Sequence, residues 1–143
     1  MMLHDAARGG ATDGYGGGWT AQPDRKPMNN PEITFVVAER FGAAESPTWD
    51  AETGQLFWCD ISAGMIHSLA IESGERKTWS LGEPVASFGL ADSERLVVAL
   101  SSSIIFFSLE TGKRELIATI QLPTGVSRLN DGKVGPDGAL YVG

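Results

Sequence analysis

The chain has 143 residues, 42% of them hydrophobic and 20% charged, which is enough apolar material for a buried core and too much for wholesale disorder. Lys and Arg total 11 against 18 Asp and Glu, a net charge of -7, and that balance repels a phosphate backbone and excludes a general nucleic-acid binder. No apolar run approaches the ~18 residues of a membrane-spanning helix, a single cysteine cannot form an internal disulfide, and one Cys with 2 His is too few for a Cys/His zinc cluster.

Met1 to Asn30 is glycine-rich, includes Gly16-Gly17-Gly18, and has almost no periodic apolar residues. A flexible tail over residues 1–30 is expected. It lacks the basic start, apolar stretch and cleavage site of a secretory signal. With one cysteine, Cys59, the expected compartment is the cytoplasm. Met28 offers a second possible start.

From residue 31 onward the sequence predicts short strands. Ile33-Thr34-Phe35-Val36-Val37 is β-branched and aromatic and predicts a leading strand over 33–41. A first four-stranded unit follows over 46–80. It holds Ser46–Asp50, Gln55–Asp60, Met65–Leu69 and Glu75–Trp79, separated by turns at Gly54, Gly64 and Gly74. A second unit over 85–119 repeats it: Val85–Leu90, Arg95–Leu100, Ile104–Leu109 and Arg114–Ala118. A third begins at 128–143, with Lys133-Val134, the turn Pro136-Asp137-Gly138, and Ala139–Val142.

The second-strand leucines, Leu56, Leu96 and Leu140, stand 40 and 44 residues apart. Four strands at that period predict an all-β fold, the β-propeller. Propellers close with about 4–8 blades, so the chain is expected to be a C-terminally truncated fragment of about two and a half antiparallel blades. The leading strand would complete the last blade of a closed ring.

In a propeller the loop into each innermost strand opens on the central channel. Glu45, Glu83, Arg128 and Asn130 fall at nearly the same phase before their second-strand leucines. Glu45 precedes Ser46-Pro47, where proline favours an extended approach. A carboxylate held so can ligate a hard cation, and it is equally an exposed glutamate at a strand entrance. Glu83 reads as a loop carboxylate. Asn130-Asp131-Gly132 reads as a tight turn, with Arg128 adding a donor fork for a carboxylate or sugar hydroxyls. His67 reads as a packed or surface histidine, and Cys59 as buried packing.

Glu45–Asp50, Leu56–Ile61, Leu81–Val85 and Arg128–Val134 stand in order and at fitting distances. Together they resemble the regucalcin (senescence marker protein 30)/gluconolactonase family over about residues 32–143. The resemblance implies a six-bladed propeller with one divalent cation (Ca, Zn, Mg or Mn) in the central channel. It implies a sugar-lactone substrate hydrolysed to an aldonic acid, with neither nucleic acid nor membrane as partner. It implies Glu45 as a metal ligand and Arg128 and Asn130 as substrate contacts. Nothing comparable carries over to Glu83, His67 or Cys59. The family's glycine beside the Glu45 position is replaced by Ala44 and Ser46 here. The remaining two protein ligands, and the catalytic base among them, are expected beyond Gly143. On that reading no catalytic residue is assigned to this chain, and the fragment is expected to be inactive. A non-catalytic calcium-binding propeller and a protein-interaction propeller stand as alternative functions, since fold does not fix function.

Overall fold

The computed structural model of the protein describes residues 34–143. The segment expected to be a flexible tail, residues 1–30, lies outside the described residues, and so does Ile33. The described part contains ten strands and no helix, so it holds no helix long and apolar enough to cross a membrane.

The first sheet runs β1 (Ala44–Asp50), β2 (Gln55–Asp60), β3 (Met65–Ala70) and β4 (Arg76–Ser80), antiparallel and in chain order. The second repeats it with β5 (Ser87–Leu90), β6 (Arg95–Ala99), β7 (Ser103–Ser108) and β8 (Arg114–Thr119). A hairpin of β9 (Gly132–Val134) and β10 (Leu140–Val142) opens a third. Leu56, Leu96 and Leu140 fall on β2, β6 and β10, so the repeat read from the sequence is the structural repeat. β1 packs beside β5 and β5 beside β9. The first strands of successive sheets are therefore neighbours, which is the arrangement of propeller blades around an axis.

Two apolar layers hold the blades together. Phe57, Cys59 and Ile66 of the first blade close on Phe88, Leu96, Val98, Ile105 and Phe107 of the second, with Leu81 and Val85 of the connecting segment between them. Ala86, Ala99, Ile104 and Leu129 form the second layer, against Leu140 and Val142 of the opening hairpin. The Trp79 indole donates to the Leu109 carbonyl at 3.0 Å and ties the outer parts of the two blades. At the inner strands the approach is closer still. A Cβ on Gly132 would meet the Tyr141 carbonyl and the Ser87 hydroxyl, and one on Gly89 would meet Val134. Glycine is required at both positions because another strand occupies the space.

The leading strand expected over 33–41 is not present among the described residues. Residues 34–41 form no strand, and the first strand begins at Ala44. A strand exists only through a hydrogen-bonded partner, and no described strand edge pairs with this segment. Instead residues 39–43 cross the outer face of blade 1 as a strap with three anchors. Glu39 forms a two-pronged ion pair with Arg76 on β4, at 2.5 and 3.0 Å. Phe41 lies edge-on to Trp58, 5.7 Å between ring centres, and against His67 at 5.0 Å. The amides of Gly42 and Ala43 donate to the Asp60 carboxylate at 2.8 and 3.1 Å.

Asp60 is only 5% exposed and receives a third amide, from Ala63 at 3.3 Å. Burial pushes its carboxyl up, but the Gly42, Ala43 and Ala63 amides outweigh it and the net shift is downward from 3.8. A depressed carboxyl contributes stability that is present above the ordinary value and lost as pH falls through the lowered one. Wild type should therefore exceed Asp60→Asn in the free energy of denaturant unfolding at pH 7, by about 1–3 kcal/mol. The gap should close below pH 3.8.

The layered core predicts a second contrast. Phe88→Ala, at a site 1% exposed, should cost about 3–5 kcal/mol in urea denaturation. Leu116→Ala on β8, 65% exposed, should change stability by less than about 0.5 kcal/mol.

Candidate functional site

Glu45 lies near the start of β1, directly after the strap, and pairs with Cys59 of β2. The register then slips: Glu45 faces Cys59 but Thr48 faces Phe57, so Ser46 and Pro47 together oppose Trp58. This is a β-bulge, a device that re-aims a side chain. Its first residue, Ser46, has φ of 54°, the sole non-glycine with positive φ among the described residues. Glycine is the natural occupant of such a position, which gives a backbone reason for the family's glycine beside this glutamate. Pro47 fits because a bulge residue need not donate to the ladder. Ser46 is also buried, and its hydroxyl has no hydrogen-bond partner among the described residues.

A cavity of about 160 Å³ is lined by Glu45, Ile61, Ala86, Asn130 and Asp131. Its walls come from the start of β1, the end of β2, the approach to β5 and the approach to β9. Three blades thus contribute to one opening. Glu45 and Asn130, singled out by repeat phase, meet there. The Asn130 segment is held by backbone bonds, from Leu129 to the Ser101 carbonyl at 2.8 Å and from Asn130 to the Gly143 carbonyl at 2.6 Å.

Arg128 is half-buried and does not line this cavity. Its Nη1 donates to the Asn130 side-chain oxygen at 2.8 Å and to the Leu129 carbonyl at 2.8 Å. The pair is therefore linked, and Arg128 orients the Asn130 amide so that its oxygen is engaged.

In the sequence Asp131 reads only as part of a turn, yet it lines the cavity. One of its oxygens does take the Gly132 amide at 2.7 Å. The turn signature and the site occupy the same residues, so turn chemistry concealed it. Glu83 shares the phase of Glu45 but stays outside the cavity lining. The Cβ position of Gly64 abuts the Glu83 carbonyl, so the backbone of this loop lies against the β2–β3 turn. His67 is buried and packed on Trp58, with ring centres 5.3 Å apart, and its Nδ1 meets the Thr78 hydroxyl at 2.9 Å. Burial lowers its pKa first, then the Arg76 charge. Cys59 is buried, and burial pushes its thiol up to about 11. Neither residue lines the cavity.

The cavity holds two carboxylates, Glu45 and Asp131, and the Asn130 amide, whose oxygen is taken by Arg128. In kind the carboxylates suit a hard divalent cation. They do not form a complete cage, since no group of three or more His, Cys, Asp and Glu gathers among the described residues.

The bulge predicts a stability effect. Ser46→Gly should raise stability by about 1 kcal/mol, because it relieves left-handed strain and removes an unpaired buried hydroxyl. Ser46→Ala keeps the strain and should gain less. Thermal or denaturant unfolding of both variants orders them.

With this geometry in place, comparison with known proteins locates the chain. The sequence model for the family described as "SMP-30/Gluconolactonase/LRE-like region" matches residues 43–143. A 6-deoxy-6-sulfogluconolactonase of Pseudomonas putida is 34% identical over 116 residues, covering 80% of this chain and 39% of the relative. Regucalcin of Gallus gallus is 28% identical over 116 residues, covering 81% of this chain and 39% of the relative. A solved luciferin-regenerating enzyme superposes with a TM-score of 0.65 at 26% identity, over 71% of this chain and 36% of that one. A calcium-binding regucalcin of Agrobacterium tumefaciens gives 0.67 at 24% identity, over 75% and 36%. The chain thus spans about 39% of the length of the curated relatives it matches.

Proposed function

The chain belongs to the SMP-30/gluconolactonase/LRE-like family, and from that premise we propose that the full-length protein is a metal-dependent sugar-lactone hydrolase, its cation drawn from Ca²⁺, Mg²⁺, Mn²⁺ and Zn²⁺. The single observation that carries this reading is the cavity in which Glu45 and Asn130, from different blades, converge. Lactonases among the relatives support the substrate class. A cytoplasmic setting belongs to the same reading, supported by a lone cysteine that is buried and free.

Glu45 would hold the cation, with the Asp131 carboxylate lining the same cavity. A bound divalent ion supplies Lewis acidity: it polarises the lactone carbonyl and stabilises the charge that develops on its oxygen. The Asn130 amide presents a hydrogen-bonding edge to the sugar ring, and Arg128 fixes which way that amide points. Two carboxylates around a small cavity favour a cation over an anion. Hydrolysis also needs a group to deprotonate water, and none of the residues lining the cavity is assigned that role.

A calcium-binding propeller without turnover is the second reading, supported by a structural neighbour described as a calcium-binding protein. It draws on the same oxygen donors and differs in chemistry alone. Lactone hydrolysis that chelator abolishes and divalent ion restores supports the hydrolase. Tight ion binding with no turnover on any sugar lactone supports the second reading.

Glu45→Gln in the full-length protein should weaken Ca²⁺ or Mn²⁺ binding by roughly 10–100-fold, since ligand charge tunes such sites. Glu83→Gln, equal in phase but outside the cavity, should leave affinity within about twofold. Calorimetric titration decides, and equal losses would mean that the wrong carboxylate has been assigned.

A further inference from the structure

We infer that Asp60 is the positioning residue of the cavity: its buried carboxylate fixes the backbone that delivers Glu45. This inference rests on the reading of Glu45 as a cation ligand and adds to it a residue that touches neither cation nor substrate.

The geometry begins with what lies on either side of Glu45. Downstream, the bulge at Ser46-Pro47 sets the direction in which β1 leaves. Upstream, β1 has one ladder position, Ala44 opposite Asp60, before the strap begins. One pair of sheet residues does not fix the aim of a strand end. The Asp60 side chain completes the constraint. Its Oδ2 takes the Gly42 amide at 2.8 Å, and its Oδ1 takes the Ala43 amide at 3.1 Å. The same Oδ1 takes the Ala63 amide at 3.3 Å, from the turn that follows β2. The Ile61 amide donates in turn to the Ala43 carbonyl at 3.0 Å, and Ile61 lines the cavity. A single carboxylate thus joins the segment before Glu45 to the loop that carries Ile61, another residue of the cavity lining.

A carboxylate suits this role better than its amide analogue. It is acceptor-only on both oxygens, and three N–H donors converge on it. Asparagine keeps the volume but turns one acceptor into a donor facing an amide. The strap end is then released while Glu45 and every cavity side chain remain chemically unchanged. Gly42→Ala offers a gentler perturbation. The added Cβ would lie 3.3 Å from Asp60 Oδ1, so the latch must open by a few tenths of an ångström with Asp60 itself intact.

The test uses the full-length protein and reads two quantities: hydrogen exchange at Gly42 and Ala43, and Ca²⁺ affinity by calorimetry. Asp60→Asn should accelerate exchange at both amides at least tenfold and weaken Ca²⁺ by about tenfold, the scale seen when a supporting residue is lost. Gly42→Ala should weaken Ca²⁺ by about two- to fivefold, and it carries the test if Asp60→Asn does not fold. Ile105→Val, a core change in β7 with comparable loss of stability, should leave Ca²⁺ affinity unaltered. Faster exchange with unchanged affinity in Asp60→Asn overturns the inference, as does an equal loss in Ile105→Val. Glu45→Gln separates the two levels. If it weakens Ca²⁺ and Asp60→Asn does not, positioning alone has failed. If neither variant weakens it, the cation reading has failed and the inference falls with it.

Discussion

A buried carboxylate must be matched by donors or it will not stay charged. In this protein that requirement is met by backbone rather than by a basic side chain. Asp60 gathers the amides of Gly42, Ala43 and Ala63, groups that would otherwise need partners of their own at the end of a sheet. Satisfying the acid and satisfying the loop are one event. The strap, the start of β1 and the turn after β2 consequently share a common fixed point. Two residues lining the cavity border that point, since Glu45 follows the strap and Ile61 follows Asp60.

The remaining architecture supports this corner from behind. Phe57, Cys59 and Ile66 point away from the strap into the layer shared with the second blade, while Trp58, Asp60 and His67 face the strap. The period of two along β2 therefore separates an apolar face from a mixed one. The mixed face is less complete. The Trp58 Nε1 and His67 Nε2 atoms are buried with no partner among the described residues, whereas the apolar layer is close-packed and carries most of the hydrophobic gain. The apolar layer joins the two blades, while the strap face carries specific polar contacts.

How far the sequence could be read depended on the range of the interaction. The blades were legible because their signals are local and repeated. Leucines recurred at Leu56, Leu96 and Leu140, and glycines marked turns that demand positive φ at Gly54, Gly74 and Gly112. Repeat phase also carried Glu45 and Asn130 to one cavity, since equal phase means equal position around an axis. The strap was not legible. Thr34 to Val37 has strand-like composition, but composition does not tell whether a partner edge exists, and Phe41 instead packs on two aromatic rings. Asp60 was hidden for a related reason. Within Leu56–Ile61 it reads as the polar end of a strand, and its three donors come from segments that no periodicity links. Asp131 was hidden by a turn signature that is itself correct.

Cys59 lies at the centre of this arrangement, enclosed by the first apolar layer, with its sulfur 3.5 Å from the Glu45 carbonyl. Burial pushes the thiol up to about 11, so the thiolate is a minor form at neutral pH. The folded chain is therefore nearly inert to alkylating and oxidising reagents at its only sulfhydryl. Reaction requires the structure around Cys59 to open, locally or globally. The rate at which a thiol probe modifies the protein then becomes a clock for that opening, and the chain carries within its own core a reporter of how often the structure beneath Glu45 comes open.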